Sequence, residues 1–253
     1  MTSEPDPTGP GAAAVEWVTA FLDSPPETAA ESEVFWAALT GWTLSQRRGE
    51  HAEFATLLPD GGDPYLRVQE VARSVPAGLH LDLHSGDVAG LAARAERLGA
   101  SASYVEEGLV VCGSPGGMTF CVVGDPGRDG PPAAGVSSGR CAVDQVCLDI
   151  PPADWDREVG FWVALTGWTL EPAGEFTRLR PPAGQPLGLL LQHLDDEQPT
   201  VTAHLDLACD DRDAEIERQR GMGAEVLRRT DWWTVMRDPS GRRYCVTTRR
   251  PDR

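Results

Sequence analysis

The strongest constraint on the fold is an internal repeat. Residues 35–44 read FWAALTGWTL and residues 161–170 read FWVALTGWTL, so nine of ten positions match at an offset of 126. Shorter matches follow in the same order, among them HLDL at 80–83 and again at 204–207. In a chain of 253 residues, a repeat of this period predicts two homologous units rather than one large domain.

The two units are predicted at residues 12–123 and 140–249. A flexible N-terminal tail is expected at 1–11, and residues 124–139 read GDPGRDGPPAAGVSSG, a composition typical of linkers. Two complete units joined by such a linker lead us to expect that each half folds by itself.

Both units have the same predicted order of elements. A strand comes first, and a helix follows over 27–40 or 155–166, closed by Gly41 or Gly167 in the usual C-terminal position. Three strands separated by Pro- and Gly-rich turns come next, and the whole pattern then starts again at HLDL. Each unit is therefore βαβββ twice, and the chain holds four such modules.

Composition excludes several classes of function. The chain has 39 acidic and 22 basic residues, a net charge of −17, whereas binding to nucleic acid or to anionic lipid needs a basic surface. All the basic residues are arginine, and the absence of lysine excludes Schiff-base chemistry and the phosphate-binding loop that ends in Gly-Lys. The net charge favours a neutral or cationic small organic ligand as the partner.

The six cysteines and the N-terminal segment bear on the compartment. No two cysteines are spaced as CxxC, and 41% hydrophobic residues suffice for a core without disulfides, so we expect reduced, buried thiols. The first 14 residues are acidic and rich in Pro and Gly, with no signal peptide and no apolar span, which predicts a cytoplasmic protein. The absence of Lys and Asn beside abundant Ala, Gly, Pro and Arg indicates a GC-rich, bacterial gene.

The order of elements, HLDL at the start of the second module, and Asp238-Pro239-Ser240-Gly241 before the last strand resemble the vicinal oxygen chelate superfamily. The resemblance is greatest to its glyoxalase-like and bleomycin-resistance branch and covers nearly the whole chain outside the tail and linker. It implies an α+β fold, the tandem glyoxalase/bleomycin-resistance/dioxygenase fold, in which paired βαβββ modules form cupped mixed sheets. Tandem units replace the pairing that single-unit relatives achieve by dimerising, so a monomer is expected, with a homodimer as the alternative.

In metal enzymes of this superfamily, the ligands lie on strands 1, 4, 5 and 8 of a unit and usually end with a glutamate. The matching positions of unit two are Gln145, Gln192, His204 and Cys245. Those of unit one are Thr19, Gln69, His80 and Cys121. Hard divalent metals prefer carboxylate oxygens, so cysteine in place of the last glutamate predicts no metal and no other cofactor. A soft site with a His204 imidazole and a Cys245 thiolate is the less favoured alternative.

The strand that opens each second module carries candidate acid and base groups. His80, Asp82 and His84 alternate and share one face, but His80 and His84 stand about 13 Å apart and cannot hold one ion. A carboxylate can orient an imidazole in a His80–Asp82 or His204–Asp206 pair, while histidines that bond the backbone at a strand start are the structural alternative. His204 and His80 are the candidate catalytic acid/base residues.

Unit two has the richer predicted pocket. Its first strand, VDQVCLDI, alternates so that Gln145, Cys147 and Asp149 share one face. One indole of the Trp232–Trp233 pair should reach the concave side and stack on a flat ligand. The predicted ligand-binding residues are Gln145, Cys147, Gln192, His193, His204, Asp206, Trp232, Trp233 and Cys245. A secondary pocket is predicted in unit one from Gln69, His80, Asp82, His84 and Cys121.

The superfamily includes isomerases, dioxygenases, thiol transferases and proteins that only sequester drugs, so the fold does not decide the function. The leading hypothesis is a metal-free binder of a small organic molecule, such as an antibiotic or another secondary metabolite, in resistance or biosynthesis. The alternative is an enzyme of the same fold, a lyase or isomerase, that uses His acid–base chemistry or a non-standard metal site. Polar residues on the concave face disfavour a pure scaffold.

Overall fold

The structure is a computed structural model that describes residues 13–124, 141–174 and 176–251. The predicted tail at 1–11 lies outside the described residues, as does the predicted linker at 124–139 apart from Gly124.

Unit one is an eight-stranded mixed sheet with two helices. Its strands are β1 (Trp17–Ser24), β2 (Thr43–Leu44), β3 (Phe54–Leu58), β4 (Leu66–Glu70), β5 (Gly78–His84), β6 (Ser101–Glu106), β7 (Leu109–Gly113) and β8 (Thr119–Val123). Its helices are α1 (Ala29–Thr40) and α2 (Val88–Arg97). The strand order is β2-β3-β4-β1-β5-β8-β7-β6, with β1 parallel to β4 and antiparallel to β5, the pairing that joins the two modules.

Unit two repeats this arrangement. Its strands are β9 (Cys141–Ile150), β10 (Thr169–Ala173), β11 (Phe176–Arg180), β12 (Gly188–His193), β13 (Thr202–Cys209), β14 (Glu225–Arg229), β15 (Trp233–Arg237) and β16 (Arg243–Thr247). Its helices are α3 (Trp155–Thr166), preceded by one 3₁₀ turn, and α4 (Arg212–Gly221). The strand order is β10-β11-β12-β9-β13-β16-β15-β14. The predicted α+β fold of paired βαβββ modules is confirmed.

Local sequence explains where the helices begin and end. Gly41 and Gly167 adopt the left-handed conformation, with φ of 72° and 67°, and end α1 and α3 as predicted. The side chains of Asp87 and Asp211 accept hydrogen bonds from the amides of Gly90 and Ala214, which satisfies free donors at the starts of α2 and α4.

The first helix of each unit packs against the other unit. The Trp36 ring of α1 lies 5.4 Å from the Tyr244 ring on β16, and the Trp162 ring of α3 lies 5.5 Å from the Phe120 ring on β8. Arg218 of α4 donates to the carbonyls of Ala38 and Leu39 at the end of α1. Buried residues of both units consequently form one hydrophobic cluster. This shared core argues against the expectation that the two halves fold separately.

Each of these two tryptophans has a buried carboxylate beside its indole N–H. Trp36 donates to Asp238 of unit two at 2.8 Å, whereas Trp162 donates to Glu158 on its own helix at 2.8 Å. Glu158 reaches into unit one, where it accepts hydrogen bonds from the Ser114 hydroxyl and the Gly116 amide. Both contacts tie the final turn of one unit to the first helix of the other.

One pair of cysteines departs from the expectation of reduced thiols. Cys141 and Cys209 form a disulfide, and they face each other in the antiparallel β9–β13 pairing with Cα atoms 4.2 Å apart. The sequence does not reveal this proximity because the two cysteines are 68 residues apart. Cys112, Cys121, Cys147 and Cys245 are free and buried, as expected.

Candidate functional site

The concave face of unit two gathers polar side chains from four neighbouring strands. His204 on β13 lies opposite Cys147 on β9, and Asp206 lies opposite both Gln145 on β9 and Cys245 on β16. Gln192 on β12 completes the row, and its side chain lies near the Cys147 thiol, with Oε1 and Sγ 3.6 Å apart. The strand register therefore brings together six of the residues predicted for this pocket.

His204 is at the centre of this group. Its Nδ1 lies 2.9 Å from Asp149 Oδ2, and its Nε2 lies 3.5 Å from Cys245 Sγ and 3.4 Å from Asp206 Oδ1. Burial by itself would lower the pKa of His204, but the nearby acidic groups, Asp149 above all, together outweigh burial and raise that pKa well above its usual value. We infer an imidazole held in one orientation and biased towards the charged form.

The two thiols beside His204 are poor nucleophiles at neutral pH. Burial raises the pKa of Cys147 to about 12, although His204 opposes the shift. Burial also raises the pKa of Cys245, again against the effect of His204. Both cysteines are therefore protonated in the ligand-free site.

The unit-two cup encloses a cavity of about 590 Å³. Aromatic rings form one wall, where Trp233 meets Phe176 edge-on with ring centroids 5.5 Å apart. Trp232 also lines this cavity but is 69% exposed, so it stands at the mouth rather than inside. A cup with one aromatic wall and one polar wall suits a flat molecule with a few hydrogen-bonding groups.

His193 does not lie in this cup. It is exposed, and its ring packs edge-on against that of Trp155, with ring centroids 5.1 Å apart. It is not among the residues that line the cavity. The prediction failed because side chains alternate along a strand, so that the neighbour of the inward-facing Gln192 points to the other face.

Unit one carries a related but distinct group. His80 Nδ1 lies 2.7 Å from Asp23 Oδ2, while its Nε2 is 3.9 Å from Asp82. Burial opposes the charged form of His80, yet the charge and hydrogen bond of Asp23 raise its pKa above the usual value. The His80 ring stacks on Phe21 with centroids 4.7 Å apart, where unit two has Cys147 at the matching position.

His84 shares a strand face with His80 and Asp82 but lines neither the unit-two cavity nor the cavity that contains His80. Its ring nitrogens lie 2.9 Å from the Thr19 hydroxyl and 2.9 Å from the Gly124 carbonyl. The structural alternative, a histidine that bonds the backbone, therefore describes His84, whereas Gln69, His80, Asp82 and Cys121 line a cavity as predicted for the secondary pocket.

The predicted pairs His80–Asp82 and His204–Asp206 are present at 3.9 and 3.4 Å, but each histidine has a second, closer aspartate that was not predicted as its partner. The closer partners are Asp149 and Asp23, at the ends of β9 and β1, and both sit in the repeated pattern Leu-Asp-x-Pro-Pro. This repeat was the available signal. A polar residue that recurs at the end of the same buried strand in both units is expected to face the cup of its own unit.

The residues present do not fit a hard divalent metal. Three groups bring possible ligand atoms within 4.8 Å of one another, and all include histidine with aspartate and cysteine. Two of the three carboxylates in these groups already face a cation: Asp82 lies 3.8 Å from Arg67, and Asp206 lies 3.9 Å from Arg249 and 3.3 Å from the Gln145 amide. A dication would meet these guanidinium groups, and the thiol of Cys245 stands where the superfamily resemblance implies a glutamate.

The sequence matches the family model for a glyoxalase-like domain over residues 19–123 and 145–247, and the chain belongs to this family with two tandem copies. This confirms the resemblance to the vicinal oxygen chelate superfamily. No curated protein matches the chain significantly.

Solved structures share the fold at low identity. The Mn(II)-bound glyoxalase from Novosphingobium aromaticivorans has 18% identity and a TM-score of 0.63, with 93% of this chain and 82% of that chain covered. An extradiol ring-cleaving dioxygenase from B. fuscum has 14% identity and a TM-score of 0.63, with 97% and 75% covered. The 2,2',3-trihydroxybiphenyl 1,2-dioxygenase from Sphingomonas wittichii strain RW1 has 13% identity and a TM-score of 0.60, with 94% and 90% covered.

None of the helices in the described parts of the chain has the length and apolar character needed to cross a membrane.

Proposed function

We propose that the chain is a metal-free binder of a small, flat organic molecule, which it holds in the cup of unit two. The observation that carries the proposal is the lining of one 590 Å³ cavity, which combines the aromatic rings of Trp233 and Phe176 with the polar side chains of Gln145, Gln192 and His204. The size suits a drug-sized ligand, and the aromatic wall supplies stacking area while the polar wall fixes orientation. An antibiotic or another secondary metabolite matches this chemistry.

The unit-two assignment predicts an asymmetric response to mutation. Trp233→Ala and His204→Ala should each weaken binding by roughly 5- to 150-fold, because losing a buried contact costs about 1–3 kcal/mol. The matched control is His80→Ala, which removes the corresponding imidazole of unit one and should change affinity little.

The measurement is native mass spectrometry of the chain after incubation with a small-molecule extract of its own host. We expect one organic adduct per wild-type chain, retained by the His80 variant and reduced in the other two. An adduct that depends on His80 but survives both unit-two changes contradicts the assignment, and a spectrum without any adduct contradicts the binding function.

Metal analysis tests the other half of the proposal. Purified protein should contain no stoichiometric divalent metal, and EDTA should leave its Tm unchanged, because an arginine lies within 4 Å of one candidate carboxylate in each cup and would repel a dication. About one zinc, nickel, iron or manganese per chain, lost together with thermal stability on chelation, would overturn this expectation.

The second candidate is an enzyme of the same fold, and one observation favours it. Asp149, His204 and Cys245 stand in line, with the carboxylate at Nδ1 and the thiol at Nε2. In such an arrangement the charged imidazole can donate its Nε2 proton to a bound substrate, and the neutral imidazole that remains can accept one back, while the carboxylate orients the ring. The raised pKa of Cys245 ranks this candidate second, and a metal held by His204, Asp206 and Cys245 is its other form.

A further inference from the structure

A second, larger cavity has a lining whose charge is opposite to that of the chain as a whole. It has a volume of about 1160 Å³ and is lined by both units. Its described acidic residues are Asp23, Asp82 and Asp149. Its described arginines are Arg48, Arg67, Arg228, Arg242 and Arg243. Arg242 is ion-paired with the buried Asp238, which leaves four arginines against three aspartates. In a chain of net charge −17 this is still a local excess of cations, which reverses the ligand charge expected from composition.

Arg67 is a largely buried cation in this lining whose hydrogen bonding is incomplete. Its side chain is 18% exposed, its Nε is buried without a hydrogen-bond partner in the described structure, and Asp82 is 3.8 Å away, beyond hydrogen-bond distance. The guanidinium lies over the Phe21 ring, 5.6 Å from its centroid, which holds its plane in place. A buried guanidinium without full hydrogen bonding is costly unless something else completes its contacts.

A second arginine increases the positive potential at this point. Arg48 also lines the cavity, at its exposed rim, and donates one hydrogen bond to the Thr56 hydroxyl at 3.0 Å. Burial and then the like charge of Arg48 both act to lower the pKa of Arg67, against the opposing effect of Asp82. Two arginines held close enough to repel each other create a place where an anion is favoured.

The remaining wall of the unit-one cup is apolar. Phe54 meets Phe21 edge-on with centroids 6.1 Å apart, and Leu109, Val111 and Val123 line the same cavity. A ligand held here would place a charged end at Arg67 and an uncharged body against these side chains.

We propose that the cup of unit one binds an organic monocarboxylate with a flat apolar body, its carboxylate paired with the Arg67 guanidinium. The planar fork of arginine matches a carboxylate with two parallel hydrogen bonds. Asp23 and Asp82 in the same cup disfavour a dianion such as phosphate by repulsion. Unit two has Leu190, opposite Cys147, at the position that corresponds to Arg67. The carboxylate contact with Arg67 is therefore specific to unit one, and the proposal does not rest on the proposed function of unit two.

The probe for this site is 4-fluorobenzoate, followed by ¹⁹F NMR titration of the full chain, with the neutral 4-fluorobenzamide and inorganic phosphate as comparison ligands. A ligand of this size is expected to bind with a Kd of roughly a millimolar. Arg67→Met keeps the apolar stem but removes the charge, and should weaken the binding of 4-fluorobenzoate by about tenfold or more. The amide and phosphate should bind at least about tenfold more weakly than the acid to the wild-type chain.

The matched control is Arg73→Met, which removes an equal charge from a side chain that is 75% exposed and should leave the titration unchanged. If Arg67→Met does not fold, the test uses Arg48→Met at the rim of the cavity. This variant should bind 4-fluorobenzoate about threefold more weakly, because it loses electrostatic attraction. Absence of 4-fluorobenzoate binding, equal binding of acid and amide, tighter binding of phosphate, or equal losses in the cup variant and the Arg73 control would each overturn the proposal.

Discussion

Replacement of Arg242 by methionine is expected to lower the free energy of unfolding by about 3–5 kcal/mol, because it leaves the buried carboxylate of Asp238 without its ion-pair partner. Arg242 is 3% exposed, and its Nη1 lies 2.7 Å from Asp238 Oδ2. Its other donors reach unit one, at the Ser24 hydroxyl and the Gly78 carbonyl, both at 2.8 Å. After the change, the Trp36 indole N–H is the one remaining hydrogen-bond donor, among the described residues, to the buried Oδ2 of Asp238. The change also removes the hydrogen bonds of Arg242 to unit one.

Urea denaturation of the full chain measures this effect, with Arg243→Met as the matched control. Arg243 is the next residue but is exposed, so its replacement should change stability by no more than about 0.5 kcal/mol. Equal denaturation midpoints for the two variants would show that the buried arginine does not hold the units together.

Loss of the disulfide is expected to cost about 2–4 kcal/mol, because a cross-link restricts the unfolded chain. The Cys141–Cys209 bond closes a separation of 68 residues and fastens the start of β9 to the end of β13, the two central strands of unit two. The double variant Cys141→Ala/Cys209→Ala should melt at a lower temperature than the wild type. A phosphine reductant should lower the Tm of the wild type and leave that of the double variant unaffected.

A thiol count in denaturant checks the premise directly. The unreduced chain should react at four cysteines, Cys112, Cys121, Cys147 and Cys245. Six reactive thiols, or a reductant effect of equal size in the double variant, would restore the expectation drawn from the sequence.

The sequence was sufficient to predict the architecture because the repeat and the glycines that end its helices are local signals. Nine of ten matched residues at 35–44 and 161–170, with a glycine after each helix, place equivalent elements in both units without any long-range information. It was not sufficient for the contact between units, since the hydrogen bond from Trp36 to Asp238 spans 202 positions. The buried disulfide was missed for the same reason.

The site was predictable to the extent that strand alternation decides it. The alternation in VDQVCLDI correctly grouped Gln145, Cys147 and Asp149 on one face, and the repeated HLDL placed His204 in the cup. The same alternation places His193, the residue after Gln192, on the opposite face of the strand, and it lies outside the cup. Arg67 was overlooked because the overall negative charge concealed a positive cavity.

The two halves have not diverged evenly. Their longest shared stretch, at 35–44 and 161–170, lies largely on α1 and α3, the helices through which each unit packs on the other. Matched positions that face the cups differ in chemistry: Phe21 and Cys147, Arg67 and Leu190, Leu109 and Trp233. In a gene that arose by duplication, the helix that packs on the other copy could change only in ways that preserved the contact between the copies. The two pockets were under no such requirement, and each was free to acquire a ligand of its own.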